Sequence, residues 1–399
     1  MSNDETGEFA DFYLFFSKKN YEKSRRFNQR FRYDPEPLKR FLQKLGNPQL
    51  AYRTVHVAGT AGKGSAATFM ARALGHSSKT GLYTSPHLES LHERIAIEFS
   101  GAPANITTAE FIDIWNSFKK ISQVNEISFF DALTALAMVH FQNQHVEWAV
   151  FETGLGGRLD STNNLKPQFC ILTPIGLDHQ NILGDTIEKI TTEKCGILQP
   201  GVPVFAFVEN PDARQCIEKI CREKKSPLQF FKPGPVTNYF EQNFSFIKWI
   251  YETHFHTKIP QIDIQIKGRY EIIIKRPLVV FDSAHNEISF REVLKKIARQ
   301  AGNWRLYINM MKERDIFEII TLVESLKVKN FQIEMYIFPA DICGDEPGYY
   351  GAPDFIETPG VVVLNREQLV EKLRDENYNH MVAGSMRLYA KLKSVLNLP

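Results

Sequence analysis

The segment HVAGTAGKGSAATFMARAL, residues 56–74, constrains the fold more than any other. It reads as an apolar strand, a glycine-rich loop and a helix of small residues, the unit that opens many parallel α/β sheets. In the common nucleotide loop a lysine and a Ser or Thr come directly after the last glycine. Here Gly59 and Gly64 have that spacing, but Ser65 comes next and Lys63 lies between Gly62 and Gly64. The physics of an anion cradle survives the change. The glycines permit positive φ and close backbone approach around Thr60 and Ala61, and a helix starting near Ser65 aims N–H groups at an anion. Lys63 adds a point charge for β- and γ-phosphates, and Ser65 a hydroxyl. A purely structural tight turn is the alternative.

Downstream of the loop the same logic recurs. EWAVFETG (147–154), FCILTPIG (169–176) and VPVFAFV (202–208) are short apolar runs bounded by Gly, Pro or Asp. Helical patterns alternate with them, as in SFFDALTALAMVHFQ and TIEKITTEKCGIL. That alternation predicts a mostly parallel sheet covered by helices on both faces. Residues 8–46 read as helical, ending at LGNPQ. A break is expected over 224–238, rich in Pro, Lys and Gly, and then the helix YFEQNFSFIKWIYETH. PLVVFDSAHN, NWRLYINMM, FQIEMYIF and HMVAGS predict a second series of strands. The expected architecture is α/β, a P-loop-type ATP-binding domain over residues 1–268 with a helical N-terminal segment, and a smaller Rossmann-like domain over 269–399.

Polar residues collect just beyond the apolar runs, where open α/β sheets bind ligands. Glu152 ends one run and precedes Gly154, Gly156 and Gly157; a lone carboxylate there is costly to desolvate, which makes a metal a natural partner. Asp178 and His179 leave the next strand, with Lys194 on the helix behind. An oxygen-rich set with one imidazole suits Mg²⁺ shared with phosphates, although His179 also reads as a satisfied core histidine. YTSPHLESLHERI (83–95) carries Ser85, and alone reads equally as a capped loop. Asp282, His285 and Asn286 lie just past a strand of the second domain, and Arg269 stands at the domain junction, within swing of a phosphate.

Composition narrows the partners. With 399 residues, 43% hydrophobic and 24% charged, two ordinary globular domains fit the chain. A net charge of +2 argues against nucleic-acid binding through bulk electrostatics. The basic run Lys18, Lys19, Lys23, Arg25, Arg26, Arg30 and Arg32 reads as a solvated face or as a contact for an anionic substrate. Five cysteines without framework spacing suit reduced thiols, and Cys216 and Cys221 lack a partnering Cys/His pair for zinc. The start MSNDETGEF has no basic n-region or apolar core, and no apolar run approaches a membrane span. A cytoplasmic protein is expected.

Taken in order, HVAGTAGKGS, YTSPHLESLHERI, SFFDALTALA, FETGLGGRLDSTN, GLDHQNILGDTIEKITTEKCGIL, IKGRYE and FDSAHN resemble the folylpolyglutamate synthase and dihydrofolate synthase branch of the Mur-type ligases. The resemblance spans roughly residues 10–390. It implies that ATP phosphorylates a substrate carboxylate in a cleft between two domains, and that the amine of L-glutamate then attacks the acyl phosphate to form an amide. The acid would be a folate or dihydropteroate and the protein a monomer. Lys63 and the loop residues Gly59, Thr60, Gly62, Gly64 and Ser65 would hold the phosphates. The resemblance implies Ser85, Glu152 and His179 as Mg²⁺ ligands and a carbamylated Lys194 as a ligand for a second ion. It further implies Asn243 as an adenine contact, Arg269 and Asp282 as phosphate and ribose contacts, and His285 beside the incoming amine or the phosphates. Four departures stand out: Ala61 replaces the branch's Asn, Tyr239 and Phe240 stand in place of GxHQ, Glu313, Arg314 and Asp315 replace DKD, and the 224–238 linker is short. They leave room for the same chemistry on another acid or amino acid, or for a silent nucleotide-binding homologue.

Overall fold

A computed structural model describes residues 7–17, 34–234, 239–300, 302–312, 315–327, 333–339, 349–350, 352–355 and 361–398. The basic run at 18–32, with Glu313 and Arg314, lies outside the described residues. The chain divides into two compact units, one drawn from residues 1–235 and 240–264, the other from 236–239 and 265–399.

The first unit is built on strands β1 (Arg53–Ala58), β2 (Thr80–Tyr83), β3 (Ile95–Phe99), β4 (Ala102–Asn105), β5 (Trp148–Glu152), β6 (Pro167–Leu172), β7 (Val204–Ala206) and β8 (Leu228–Phe230). Their order is β4-β3-β2-β5-β1-β6-β7-β8. The central strands β2, β5, β1, β6, β7 and β8 pair in parallel, and β3 and β4 extend one edge antiparallel. β5 is buried along its whole length, and β1 everywhere but its first residue. Burial on both faces explains why these strands read as unbroken apolar runs. β8 falls inside the stretch expected to be a break; an edge strand with no fully buried residue carries too little apolar pattern to stand out.

Helix Phe129–Asn143 starts with a capping box in which Ser128 and Asp131 exchange hydrogen bonds, each oxygen satisfying the other residue's N–H. One core, on the helix Phe129–Asn143 side, gathers Phe9, Phe12, Phe16, Phe111, Trp115, Phe129 and Phe141; a second lies beneath helices Ile187–Lys194 and Pro211–Lys224. Within the region read as helical, the described helices are Ala10–Phe15 and Glu36–Lys44.

The second unit has strands β9 (Glu271–Lys275), β10 (Leu278–Asp282), β11 (Asn303–Ile308), β12 (Ile333–Ile337), β13 (Val362–Val363) and β14 (Tyr378–Ala383), in the order β13-β12-β11-β14-β10-β9. All pairs are parallel except β9–β10, an antiparallel edge hairpin. β9, EIIIK, comes straight after the turn KGRY and lies outside the expected strand series; its isoleucine run sits on the sheet edge, with Ile272 53% exposed.

Candidate active site

Four adjacent strands of the first sheet, β2, β5, β1 and β6, deliver the sequence-expected residues at their carboxyl ends. β1 runs into Gly59, whose φ is +155°, and a Cβ there would stand 1.9 Å from Thr173 Oγ1 on the segment after β6. Gly62, at φ +78°, caps helix Lys63–Gly75 in a left-handed conformation that favours glycine. Between them the loop is tied down. Thr60 N–H and Ala61 N–H donate to Pro174 O at 2.8 and 3.3 Å, and Thr60 Oγ1 bridges Gly176 N and O at 3.1 Å each. Thr60 and Gly59 therefore shape the loop. The N–H groups at the start of the helix, which have no carbonyl one turn back, are the ones left to meet an anion.

β5 ends in Glu152, only 5% exposed, and its Oε2 accepts the Ser85 N–H at 3.0 Å. The carboxylate also abuts the first turn of the phosphate helix: a Cβ on Gly64 would lie 3.3 Å from Oε2. Ser85, Glu152 and the loop are thus brought together.

Behind Glu152 lies a hydrogen-bonded chain that the motifs do not reveal. Asp160 accepts from Leu155 N–H at 2.9 Å, Thr162 N–H at 3.0 Å and the Thr162 hydroxyl at 2.5 Å. With that proton committed, His56 Nε2 donates to Thr162 Oγ1 at 2.7 Å. Burial pulls His56 down to about 3, so it is neutral, and burial pushes the Asp160 carboxyl up against the bonds it accepts. The network pins the turn after Glu152 to β1. Only the Asp of GLGGRLD hints at it in sequence, because His56 looks like an ordinary strand residue.

Lys194, 3% exposed, reaches back under the loop and donates from Nζ to Gly59 O at 2.7 Å. Burial, and then the nearby Lys63 charge, lower its amine to about 7. His179 caps the short helix Gln180–Leu183 with φ +50°, and its side chain is 41% exposed, which removes the core-histidine reading. Its N–H donates to Asp178 Oδ1 at 3.0 Å, with Nε2 3.9 Å from the same oxygen.

Among the described residues no three His, Cys, Asp or Glu side chains are grouped to hold a metal ion. A hard divalent ion fits what is present in another way. Mg²⁺ takes one or two protein oxygens and completes its shell with phosphate and water. Glu152, buried against the first turn of the phosphate helix, is such an oxygen donor.

Asn243, on helix Tyr239–Phe255, is 1% exposed, and neither its Oδ1 nor its Nδ2 has a hydrogen-bond partner among the described residues. The helix meets the phosphate helix through Phe240 and Phe244, whose rings lie 5.2 and 5.6 Å from that of Phe69.

In the second unit Asp282 ends β10 and is committed to the backbone. Its Oδ2 accepts Tyr270 N–H and its Oδ1 accepts Ala284 N–H, both at 2.8 Å. Burial raises its carboxyl, while the Arg269 charge opposes that rise. His285 Nδ1 lies 2.8 Å from Ser283 O, so in the neutral ring Nδ1 carries the proton and Nε2 the lone pair. Asn286 caps helix Glu287–Ile297 through a box with Ser289.

Known proteins share this arrangement of sheet and loop. Residues 57–273 match the family model described as the Mur ligase middle domain. The dihydrofolate synthase/folylpolyglutamate synthase of Bacillus subtilis is 29% identical over 339 residues, 72% of this chain and 78% of that one. The folylpolyglutamate synthase of Mycobacterium tuberculosis, complexed with ADP and AMPPCP, superposes with a TM-score of 0.81 at 20% identity, covering 99% of this chain and 100% of that one. A bifunctional folylpolyglutamate synthase/dihydrofolate synthase with Mn, AMPPNP and L-glutamate bound also gives a TM-score of 0.81, at 22% identity and 98% of each chain. These structural likenesses speak to the fold.

Proposed function

The chain belongs to the Mur ligase family, in the branch of the folylpolyglutamate and dihydrofolate synthases, and on that premise we propose that it uses ATP to join L-glutamate to the carboxylate of a folate or dihydropteroate. The observation that carries this reading is the convergence of the phosphate loop, Glu152 with Ser85, and the buried Lys194 at the carboxyl ends of neighbouring strands.

Each residue's role comes from its place in that convergence. Lys63 and the first-turn N–H groups of helix Lys63–Gly75 hold the β- and γ-phosphates, with the Ser65 hydroxyl beside them. Glu152, the Ser85 hydroxyl and His179 would hold a divalent ion, which when bound supplies charge that offsets the phosphates and fixes their orientation. Lys194, as a carbamate, would become an anionic ligand for a second ion. Its amine, held near 7, is neutral often enough to react with CO₂. Asn243 presents a buried amide with both a donor and an acceptor, the complement of adenine's amino group and ring nitrogen.

Arg269 meets the phosphates and Asp282 the ribose. The substrate carboxylate attacks the γ-phosphorus, ADP leaves, and the glutamate amine displaces phosphate from the acyl phosphate. His285, with its lone pair on Nε2, stands as acceptor for the proton that amine loses. ATP binding is assigned to residues 1–268 and a Rossmann-like ligase domain to 269–399. A cytoplasmic monomer completes the reading; among the described residues no helix is long and apolar enough to cross a membrane.

The test is a panel of ADP and phosphate release with ATP and Mg²⁺, adding L-glutamate and dihydropteroate or a reduced folate singly and together. Release that requires all components supports the proposal, and no turnover with either acid rejects it. Ala61, where the branch carries Asn, motivates the second reading, the same chemistry on a different acid. It is supported if another acid and amino acid elicit ADP release in the same assay.

A further inference from the structure

The segment Gly268–Arg269–Tyr270 is a turn with one strained residue. Gly268 takes φ +72° without steric cost, whereas Tyr270 stands at φ +46°, and an aromatic residue in the left-handed region persists only where its surroundings over-determine it. The surroundings here are specific. Arg269 N–H donates to Ile266 O at 3.1 Å, and Gly268 O accepts Ser283 N–H at 3.0 Å. Two carboxylates hold the two left-handed residues: Asp282 Oδ2 takes Tyr270 N–H at 2.8 Å, and Glu271 Oε2 takes Gly268 N–H at 2.6 Å. Glu271 is fixed in turn, because the Tyr389 hydroxyl donates to its Oε1 at 2.8 Å.

Tyr389 is 3% exposed, sits edge-on to Phe281 of β10 at 5.1 Å, and lies 5.4 Å beneath the Lys267 ammonium. Each clamp thus ties the turn to a different part of the unit: Asp282 to the end of β10, and Glu271 through Tyr389 to helix Leu388–Val395.

We propose that Glu271 and Tyr389 are positioning residues for Arg269: they hold the left-handed turn that presents its guanidinium to the nucleotide phosphates. The inference deepens the ligase reading and rests on it for the identity of the ligand. A planar guanidinium binds phosphate through two parallel hydrogen bonds, so its contribution depends on orientation more steeply than that of a lysine. Once Gly268 N–H is released, the glycine samples both signs of φ at little cost, and the Arg269 backbone loses its fixed orientation with it. Glu271 neither needs to touch ATP nor changes the charge that does.

The experiment measures the Kd of the non-hydrolysable analogue AMPPNP with Mg²⁺, alongside KM for ATP, kcat and melting temperature. The variants are Glu271→Ala, Glu271→Gln, Tyr389→Phe and Arg269→Ala, with the doubles Glu271→Ala/Arg269→Ala and Tyr389→Phe/Arg269→Ala. Arg269→Ala and Glu271→Ala should each weaken AMPPNP about tenfold, the scale of one charge-assisted contact. Glu271→Gln, which keeps an acceptor for Gly268 N–H, should recover most of the loss. In the Arg269→Ala background, Glu271→Ala and Tyr389→Phe should add less than about twofold, because coupled residues are not additive.

Full additivity in the doubles, or a lowered melting temperature with unchanged Kd, overturns the inference and makes the clamp merely structural. Unchanged Kd in Arg269→Ala overturns it as well, and leaves the ligase reading standing if turnover persists. A wild-type chain that binds AMPPNP through this coupled set yet ligates nothing keeps the inference and rejects the proposed activity.

Discussion

Replacing Lys194 with Ala separates a carbamate ligand from a plain structural lysine. In the structure its ammonium is desolvated and crowded by Lys63, which brings the amine from 10.5 to about 7. At pH 7.4 about 70% of such amines are neutral, roughly a thousandfold more than for a lysine in water. Only the neutral amine adds to CO₂, forming the N–C bond and releasing a proton. The hydrogen bond from Nζ to Gly59 O anchors the amine at the base of the phosphate loop. Lys194→Ala should cost about 100-fold in kcat, the scale for losing a charged group at a phosphoryl-transfer site. Short carboxylates such as acetate should restore part of it. In the wild type, stripping CO₂ should lower activity, and bicarbonate should restore it. At equal dissolved CO₂ recovery should be about eightfold slower at pH 6 than at pH 7.4, because the neutral fraction falls to about 9%. Labelled CO₂ tracked by carbon NMR reads the carbamate directly. Near-wild-type turnover in Lys194→Ala, or recovery that ignores pH, refutes the reasoning.

The same buried amine predicts a stability gain from Lys194→Met. Because its folded pKa is depressed, the desolvation cost is full below about pH 7 and fades as pH rises toward 10.5, at most about 5 kcal/mol by the size of that shift. The melting temperature of Lys194→Met should therefore exceed wild type most at pH 6 and converge with it above pH 10. Glu152→Gln should lower Mg²⁺-dependent turnover about 100-fold, while melting within about 2 °C of wild type; an unchanged metal dependence would rule out the ligand role. His56 is held near 3, so the unfolded chain takes up a proton at 6.5 that the folded one refuses, and stability falls as pH drops from 6.5 toward 3. His56→Gln should flatten that acid limb in thermal melts even if it lowers stability at pH 7.5. Gly59→Ala puts a Cβ 1.9 Å from Thr173 Oγ1 in a backbone region that excludes it, and should weaken ATP binding at least tenfold in titration calorimetry.

The buried part of the sheet is legible in the sequence, because strands covered on both faces are continuous apolar runs and the ligand residues sit one step beyond them. β1, β5 and β6 appear where those runs predict, each ending at Gly59, Glu152 or the segment leading to His179. β4 and β8 carry no fully buried residue and no apolar alternation marks them, while β9 is an isoleucine run at a sheet edge, outside the expected strand series. At the site, the motifs reveal residue types but not their partners. Thr60 reads as a phosphate contact, yet its N–H and hydroxyl serve Pro174 and Gly176. The chain from His56 through Thr162 to Asp160 joins residues far apart in sequence, and only tertiary structure sets the direction in which each proton is donated.

Two buried asparagines differ in a way that bears on the nucleotide site. Asn309 is fully enclosed and fully bonded: Nδ2 donates to Phe338 O and Tyr350 O, and Oδ1 accepts Met310 N–H and Tyr350 N–H. Asn243 is just as enclosed and makes no such bond among the described residues. An unmade hydrogen bond on a buried amide costs about 1–3 kcal/mol for each group left unpaired, so a protein has reason to keep such a residue only where something else pairs with it. Asn309 is therefore explained by the second unit's own architecture, which it ties together at Phe338 and Tyr350. Asn243 is not explained by the helix that carries it, and the missing partner must be able to give and to take a hydrogen bond on one edge. Adenine does both, so on the proposed adenine contact the drift of the preceding residues to Tyr239 and Phe240 need not remove the nucleotide site. If the drift had removed it, the amide would be an unrelieved cost, and Asn243→Leu would stabilise the fold without changing ATP affinity.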